Sequence, residues 1–331
     1  MHKMIRPIVN TVTVLGLTAL LATGAHGQAT SAWPTKPVRL IVPAPGGGGT
    51  ADPLGRVLAL GLEKIWGQRV LVDNKPGGSG VIGGSAAAQA EPDGYTFFLT
   101  HAALMTTTQL FVKSVPWHPQ KSFDPVVLYS TAPIVLAVNN KLPVTDLPSF
   151  VAYARAHPDA INYGSTGTGA ASHLSGELFK QVTHTTITHV PYVAPGQATT
   201  DTIAGNIQAT FQLMPGIVTQ IKSGMLRPIA VLSKARVSSL PDVPTSAEGG
   251  QPALLADAWF GIVAPKGTPP QILAKVNADI NSLLKNADFI QRLQQMGVEP
   301  LGGTQAEFAD FLGKEMERWR DIVERAGVKI Q

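Results

Sequence analysis

Short β-branched runs recur along this chain and alternate with helical patterns, and that alternation limits the fold more than any other feature. The runs are VRLIV (38 to 42), RVLVD (69 to 73), YTFFL (95 to 99), IVLAV (134 to 138), TITHV (186 to 190) and PIAVLS (228 to 233). Strands separated by helices predict an α/β architecture with largely parallel sheets. At 331 residues, 44% apolar and only 15% charged, the chain can bury more than one core, so two globular domains are expected. Its 33 glycines and 26 prolines are dispersed, which reads as turns between many short elements.

The first residues stand apart. Lys3 and Arg6 precede a mostly apolar run from Ile8 to Ala22, followed by small residues suited to a signal peptidase. This is read as a secretory signal peptide, residues 1–29, with cleavage after Ala29 or, alternatively, after Gly27. The run contains Asn10 and several threonines and falls short of the ~20 residues a membrane span needs. With no cysteine, the chain has no lipid-bearing cysteine, disulfide, thiolate metal site or cysteine nucleophile. An exported, soluble mature protein with the signal segment cleaved is the expectation. Loss of Lys3 and Arg6 leaves 24 basic residues against 22 acidic ones, a balance that gives no reason to expect nucleic acid as a partner.

Helical stripes are legible in several places. Asp52 reads as the N-cap of a first helix with Pro53 at its first position and Leu54, Val57, Leu58, Leu62 and Ile65 on one face. Thr268 and two prolines open a helix bearing Ile272, Leu273, Val276, Ile280 and Leu283. Thr304 and Glu307 form a capping box ahead of Phe308, Phe311, Leu312, Trp319, Ile322 and Val323.

Three glycine-bearing turns lead from a strand into a helix. They are VPAPGGGGTADPLGR (42 to 56), INYGSTGTGAASHLSGELF (161 to 179) and HVPYVAPGQATTDTIAGNIQ (189 to 208). In open α/β sheets such turns gather at the carboxyl ends of strands, where backbone N–H groups and positive helix ends converge on a ligand. The first turn could cradle a phosphate, hold a nucleophile or hold a carboxylate. No glycine is followed by the Lys and hydroxyl pair of a phosphate loop, and neither Gly46–Gly49 nor Gly164–Gly169 completes a dinucleotide fingerprint. Ser79 in GGSGV and Ser165 in GSTGT both miss the spacing of a serine-hydrolase elbow. His184 and His189 are five apart in a predicted strand region, which points them to opposite faces, and no zinc-protease motif is present, so no metal site is expected.

His101 follows a strand at its carboxyl end, where ligands lie, and His173 is either a base, a ligand contact or a brace for its turn. What is left is a site rich in N–H donors and hydroxyls with no nucleophile, base and metal together: the profile of a binder, with no catalytic residue and no cofactor. Helix ends, each carrying roughly half a positive charge, can hold a small organic anion without a full counter-charge. The candidate ligand-binding residues are Ala44, Pro45, Gly46, Gly47, Gly48, Gly49, Thr50, Asp52, Ser79 and His101, then Ser165, Thr166, Gly167, Thr168, Gly169 and His173, then Tyr192, Pro195 and Gly196. The competing reading is a secreted hydrolase acting on a small carboxylate ester.

At these residues the sequence resembles the periplasmic receptors of the tripartite tricarboxylate transporter family, also called the Bordetella uptake gene family. The resemblance covers nearly the whole mature chain: WPTKPVRLIVP (33 to 43), the DPLGR segment ending at Arg56, GQRVLVDNKPGGSGVIG (67 to 83), PDGYTFFL (92 to 99), HPDAINYGSTGTGAASHLSGELF (157 to 179), HVPY (189 to 192), LPDVPTSAEGG (240 to 250) and WFGIVAPKGTP (259 to 269). It implies a type II periplasmic binding protein fold, a Venus flytrap of two α/β domains with the ligand cleft between them. One domain would comprise residues 33–135 and 255–331, the other 136–254. It also implies an organic acid, usually a di- or tricarboxylate, as ligand and delivery to one large and one small integral membrane subunit; the departure at Ala44 makes room for an aromatic carboxylate, and a monomer is expected. Two departures stand out. Ala44 occupies a position that is often aromatic in the family, beside a loop about one residue longer, and Gln208 stands where many relatives carry an acid.

Overall fold

The computed structural model describes residues 33–47, 50–192 and 195–326, so the signal segment and Gly48 and Gly49 lie outside the described residues. From the start, β1 (Val38–Val42) leads to α1 (Ala51–Trp66), β2 (Val70–Asn74), α2 (Val81–Ala88), β3 (Thr96–His101), the single turns α3 (Ala102–Met105) and α4 (Thr108–Phe111), and β4 (Phe123–Ala132). A second run follows: β5 (Ile134–Asn139), α5 (Leu147–Ala156), β6 (Asn162–Ser165), α6 (Ala171–Thr183), β7 (Thr188–Pro191), α7 (Pro195–Ala204), β8 (Ala209–Leu213), α8 (Val218–Lys222) and β9 (Leu226–Val231). The chain then returns through β10 (Ala258–Pro265), α9 (Pro270–Leu283), α10 (Ala287–Gln295), β11 (Glu299–Pro300) and α11 (Gln305–Ala326). Among the described residues, no helix is long and apolar enough to cross a membrane.

Two sheets result, a six-stranded one ordered β11-β4-β10-β3-β1-β2 and a five-stranded one ordered β7-β6-β8-β5-β9. The expectation of largely parallel sheets is corrected, because both are mixed. Among the named strands of the described residues, β1 pairs in parallel with β2 and β3, and β6 with β7 and β8. In contrast, β10 runs antiparallel to β3 and β4, β5 antiparallel to β8 and β9, and β11 antiparallel to β4. The cause is the route of the chain. It passes from the first sheet to the second through Pro133 alone and returns on β10, so β5 and β10 enter mid-sheet without the helical crossover that keeps neighbours parallel.

Helix α1 buries Leu54, Leu58 and Leu62, each contributing roughly 1.5–3 kcal/mol when fully sequestered. Its small-residue side, Ala51, Gly55 and Ala59, seats on the sheet so closely that a Cβ at Gly55 would come within 2.8 Å of Val42. That seating rolls Ile65 outward to 41% exposure and leaves Val57 only half-buried, against the expectation of one stripe from 54 to 65. Nor is Asp52 the N-cap: the helix starts at Ala51, with Thr50 in the cap position. The expected capping box of α11 is present, Thr304 N–H donating to Glu307 at 2.7 Å and Glu307 N–H to Thr304 Oγ1 at 3.1 Å.

Buried clusters follow the two sheets. Ile41, Phe98, Trp259 and Val263 belong to one, Leu136, Tyr163, Phe179 and Phe211 to a second, and Val135, Ala137 and Val231 of the second sheet to a third. Helix α11 joins the first two, with Phe308 and Leu312 in the first cluster and Trp319, Ile322 and Val323 in the second. The crossing is marked by Glu315, whose Oε2 accepts both indole N–H groups, Trp259 at 3.3 Å and Trp319 at 2.9 Å.

Candidate ligand-binding site

The carboxyl ends of β1, β3, β6 and β8 open onto one cleft. Its first chamber, about 470 Å³, is lined by Pro43 and Ala44 after β1, Thr50 and Ala51 at the start of α1, His101 to Ala103 after β3, Thr166 and Ala170 to Ser172 ahead of α6, and Gln212 and Leu213 in β8, with Ala258 and Phe260 from β10. A second chamber of about 430 Å³ shares Pro43, His101, Ala103, Thr166 and Ala170 with the first and continues past Pro45, Ser79, Thr108, Phe111, Thr168 and Gly169. Among the described residues, no Lys, Arg, Asp or Glu lines either chamber.

Positive potential is nonetheless aimed there. The opening N–H groups of a helix have no intrahelical partner, and here neither of two helices supplies one from a side chain. Thr50 makes no capping bond to α1, and Ala170, in the cap position of α6, has no side-chain oxygen to offer. The first in-helix bonds come only at Leu54, to Thr50 at 3.2 Å, and at Leu174, to Ala170 at 3.0 Å. Two uncapped N-termini, one from each sheet's helices, thus line the same neutral chamber. Each presents partial positive charge and free donors to an anion.

His101 caps α3 through Nδ1, which accepts the Leu104 N–H at 3.4 Å. That bond leaves the ring proton of the neutral form on Nε2. Burial lowers its pKa to about 4, so at neutral pH the ring is uncharged and offers a donor and not a counter-charge to the cleft.

The turns themselves are braced from behind. Asp52, 1% exposed, faces away from the chamber. Its Oδ2 accepts the Gly47 N–H at 2.8 Å and Arg56 Nε at 2.9 Å, while Oδ1 accepts Asn74 Nδ2 at 2.8 Å. Burial raises its pKa, but the bonds from Arg56, Asn74 and Gly47 outweigh it and hold the carboxyl below its ordinary range. In the second turn Ser165 is fully buried, accepts the Gly167 N–H at 3.1 Å and lies 2.6 Å from His189 Nε2. Ser172 accepts the Thr166 N–H at 3.0 Å and His173 accepts the Gly169 N–H at 3.0 Å.

Of the residues singled out in the sequence, the structure therefore brings Ala44, Pro45, Thr50, Ser79, His101, Thr166, Thr168 and Gly169 to the cleft. It sets Asp52, Ser165 and His173 behind the turns, leaves Gly46 near Asn74 and Arg56, and spends the Gly47 and Gly167 N–H groups on the braces. Tyr192 and Gly196 line a separate open depression, with the Tyr192 hydroxyl donating to Asp201 at 2.8 Å, and Pro195 starts α7 beside them. Sequence reasoning did not single out Gln212, Leu213, Pro215, Gly216, Ala258 or Phe260. Of these, only Phe260 carried a signal, since it lies in the WFGIVAP segment, which forms β10, the strand on which the chain rejoins the first sheet.

The sequence profile described as "Tripartite tricarboxylate transporter family receptor" matches residues 54–328. The chain belongs to this family. It is 34% identical to Protein BugT of Bordetella pertussis over 97% of this chain and 98% of that one. Among solved structures, an R. palustris protein, Rpa4515, with adipate superposes with a TM-score of 0.78 at 34% identity, covering 89% of this chain and 99% of its own. MatC from Rhodopseudomonas palustris with bound malate gives 0.72 at 28% identity, covering 88% and 100%. The fold is that of the type II periplasmic binding proteins, with two α/β domains, and the protein is a solute-binding receptor of a carboxylate transport family. The family is one of periplasmic binding proteins that serve membrane transporters.

Proposed function

We propose that the protein captures a small organic carboxylate in the cleft, unchanged, for delivery to a transporter of one large and one small integral subunit. One observation carries the reading: the uncapped N-termini of α1 and α6 meet across a chamber that no charged side chain lines among the described residues. Such a site holds an anion by N–H dipoles and releases it without breaking a salt bridge. It offers hydroxyls and a neutral imidazole but no activated nucleophile, which speaks against the ester hydrolase.

Walls of Ala44, Ala103 and Ala258 with Phe260 and Leu213 make the chamber wide and apolar away from the helix ends. Solved relatives carry adipate and malate. The width favours a carboxylate with an extended or ring-bearing apolar body over the shortest diacids. The mature receptor begins after Ala29, acts as a monomer and closes two domains, residues 33–135 with 255–331 and residues 136–254, on its ligand.

Competition among malate, succinate, citrate, adipate and benzene carboxylates, by thermal shift and calorimetry with the ligand recovered afterwards, tests the reading. Micromolar binding, about −8 kcal/mol, of an intact adipate or benzoate-type acid is expected. Preference for malate removes the roomy-pocket reading, and steady turnover of a carboxylate ester replaces the receptor with an enzyme. Small-angle scattering should show a smaller radius of gyration with saturating ligand. An unchanged radius with binding confirmed means a preclosed site.

A further inference from the structure

Behind the turn at 165–170 lies a buried set of polar groups that does not line the cleft. The rings of His173 and His189 stack with centroids 4.0 Å apart and planes at 29°. His189 Nε2 is 2.6 Å from Ser165 Oγ, and Ser165 Oγ accepts the Gly167 N–H at 3.1 Å. His173 Nδ1 accepts the Gly169 N–H at 3.0 Å, and its Nε2 lies 3.8 Å from Glu177. Glu177 is held in turn by Lys180 Nζ at 2.9 Å and by the Tyr163 hydroxyl at 2.9 Å.

A backbone N–H can only donate, so His173 Nδ1 must keep its lone pair and the ring proton must sit on Nε2, toward Glu177. A second proton has only Nδ1 to go to, where it would point at the Gly169 N–H and break the brace. The groups facing the pair are Glu177 and Lys180 from α6, and Tyr163 and Ser165 from β6. Two imidazolium ions stacked this closely would repel each other. The turn so held is the one that delivers the uncapped start of α6 to the first chamber.

We propose that His173, backed by His189 and Ser165, is a positioning residue for the anion: it sets the Gly167–Gly169 turn that aims the opening N–H groups of α6 into the cleft, and protonation of the imidazole pair releases turn and anion together. The proposal rests on the reading of the cleft as an anion site. Burial, the largest influence on both rings, pushes His173 below its ordinary range and His189 down to about 4, so the brace is intact at neutral pH and acid undoes it.

Adipate is the probe, titrated by calorimetry from pH 7.5 to 4.5 into wild type, His173→Asn and His173→Leu. The asparagine oxygen can accept the Gly169 N–H and takes no proton in this range, whereas leucine fills the space without an acceptor. At pH 7.5 the leucine variant should bind about tenfold more weakly, the cost of one lost hydrogen bond, and the asparagine variant within about threefold of wild type. Toward the acid end of that range, below the ordinary imidazole value, wild type should lose affinity more steeply than His173→Asn, by up to about tenfold per pH unit for one proton taken up. Adipate's own protonation weakens every variant alike, so the difference between curves is the readout.

Wild-type binding by His173→Leu, or superimposable curves for wild type and His173→Asn, overturns the proposal. The Gly169 amide signal of the ligand-free protein, followed by NMR over the same range, should move in wild type and stay in place in His173→Asn. Failure of wild type to bind any carboxylate would sink the reading of the cleft, not the brace. In that case, or if a variant does not fold, the wild-type amide titration decides, and a Gly169 signal that ignores acid overturns the brace.

Discussion

The turn ahead of α1 and the turn ahead of α6 perform the same task, each delivering an uncapped helix start to one chamber, yet they are held by opposite chemistry. The first is fastened by a buried carboxylate, Asp52, with Arg56 half-exposed behind it and Asn74 reaching on to the Ala44 carbonyl at 3.0 Å. The second is fastened by neutral groups, Ser165, Ser172, His173 and His189. The difference follows from surroundings. The first brace reaches water through Arg56, so charge there keeps part of its hydration. The second is wedged between β6, β7 and α6, where an uncompensated charge would be costly. Among the described residues, both arrangements leave the chamber without a charged side chain, which is why the proposed anion site relies on helix ends and hydroxyls.

The largest break in this comparison should come from Gly169→Val. Gly169 has φ +80°, and a Cβ there would meet the Phe111 ring at 3.1 Å, so valine is both strained and crowded. Adipate affinity, measured by calorimetry on folded variant, should fall by about a hundredfold. Asp52→Ala comes next. Removing an acceptor shared by Gly47, Asn74 and Arg56 should destabilise the protein by about 2 kcal/mol in urea unfolding. An unaltered midpoint would mean the first turn holds itself.

Acid should act on the histidines before the carboxylate. Half-buried His101 has a folded pKa of about 4 against about 6.5 in an unfolded chain. Between those values the unfolded state binds more protons, so stability is greatest above pH 6.5 and falls as the pH drops toward 4. The loss from His101 should be about 1–2 kcal/mol between pH 7 and pH 5, and His101→Gln should flatten that part of the urea-midpoint profile. Asp52, held below its ordinary range, contributes nothing to this window.

Arg56→Ala should matter least to the ligand, less than about threefold in affinity, because its guanidinium is 52% exposed and directed to Asp52 and Asn74. A larger loss from Arg56→Ala than from Gly169→Val, with both folded, would make a side-chain cation the anchor and abolish the contrast between the two turns.

Local patterns were legible because their causes are local. The β-branched runs became β1, β2, β3, β5, β7 and β9 within a few residues, and the Thr304–Glu307 box starts α11. Strand β8, ATFQL, escaped notice, since a short buried strand has no clear alternation to announce it. Sheet direction escaped too, because helices between strands predict parallel neighbours only when the chain stays in one sheet. At the site, the glycine turns and His101 could be read from their place after strands.

By itself, then, the sequence determined the elements, the turns and the kind of site: three- to four-residue and two-residue periods, capping residues and glycine backbones all act between near neighbours. Only the tertiary structure decided which face of each turn lines the cleft. Asp52 is turned from the cleft by Asn74, 22 residues away, and Ser165 is buried by His189, 24 residues away. Those partners lie on adjacent strands, and no local rule says which strand will stand behind which turn. Burial, and with it the neutrality of the imidazoles and the absence of a charged wall, is a property of the packed sheets.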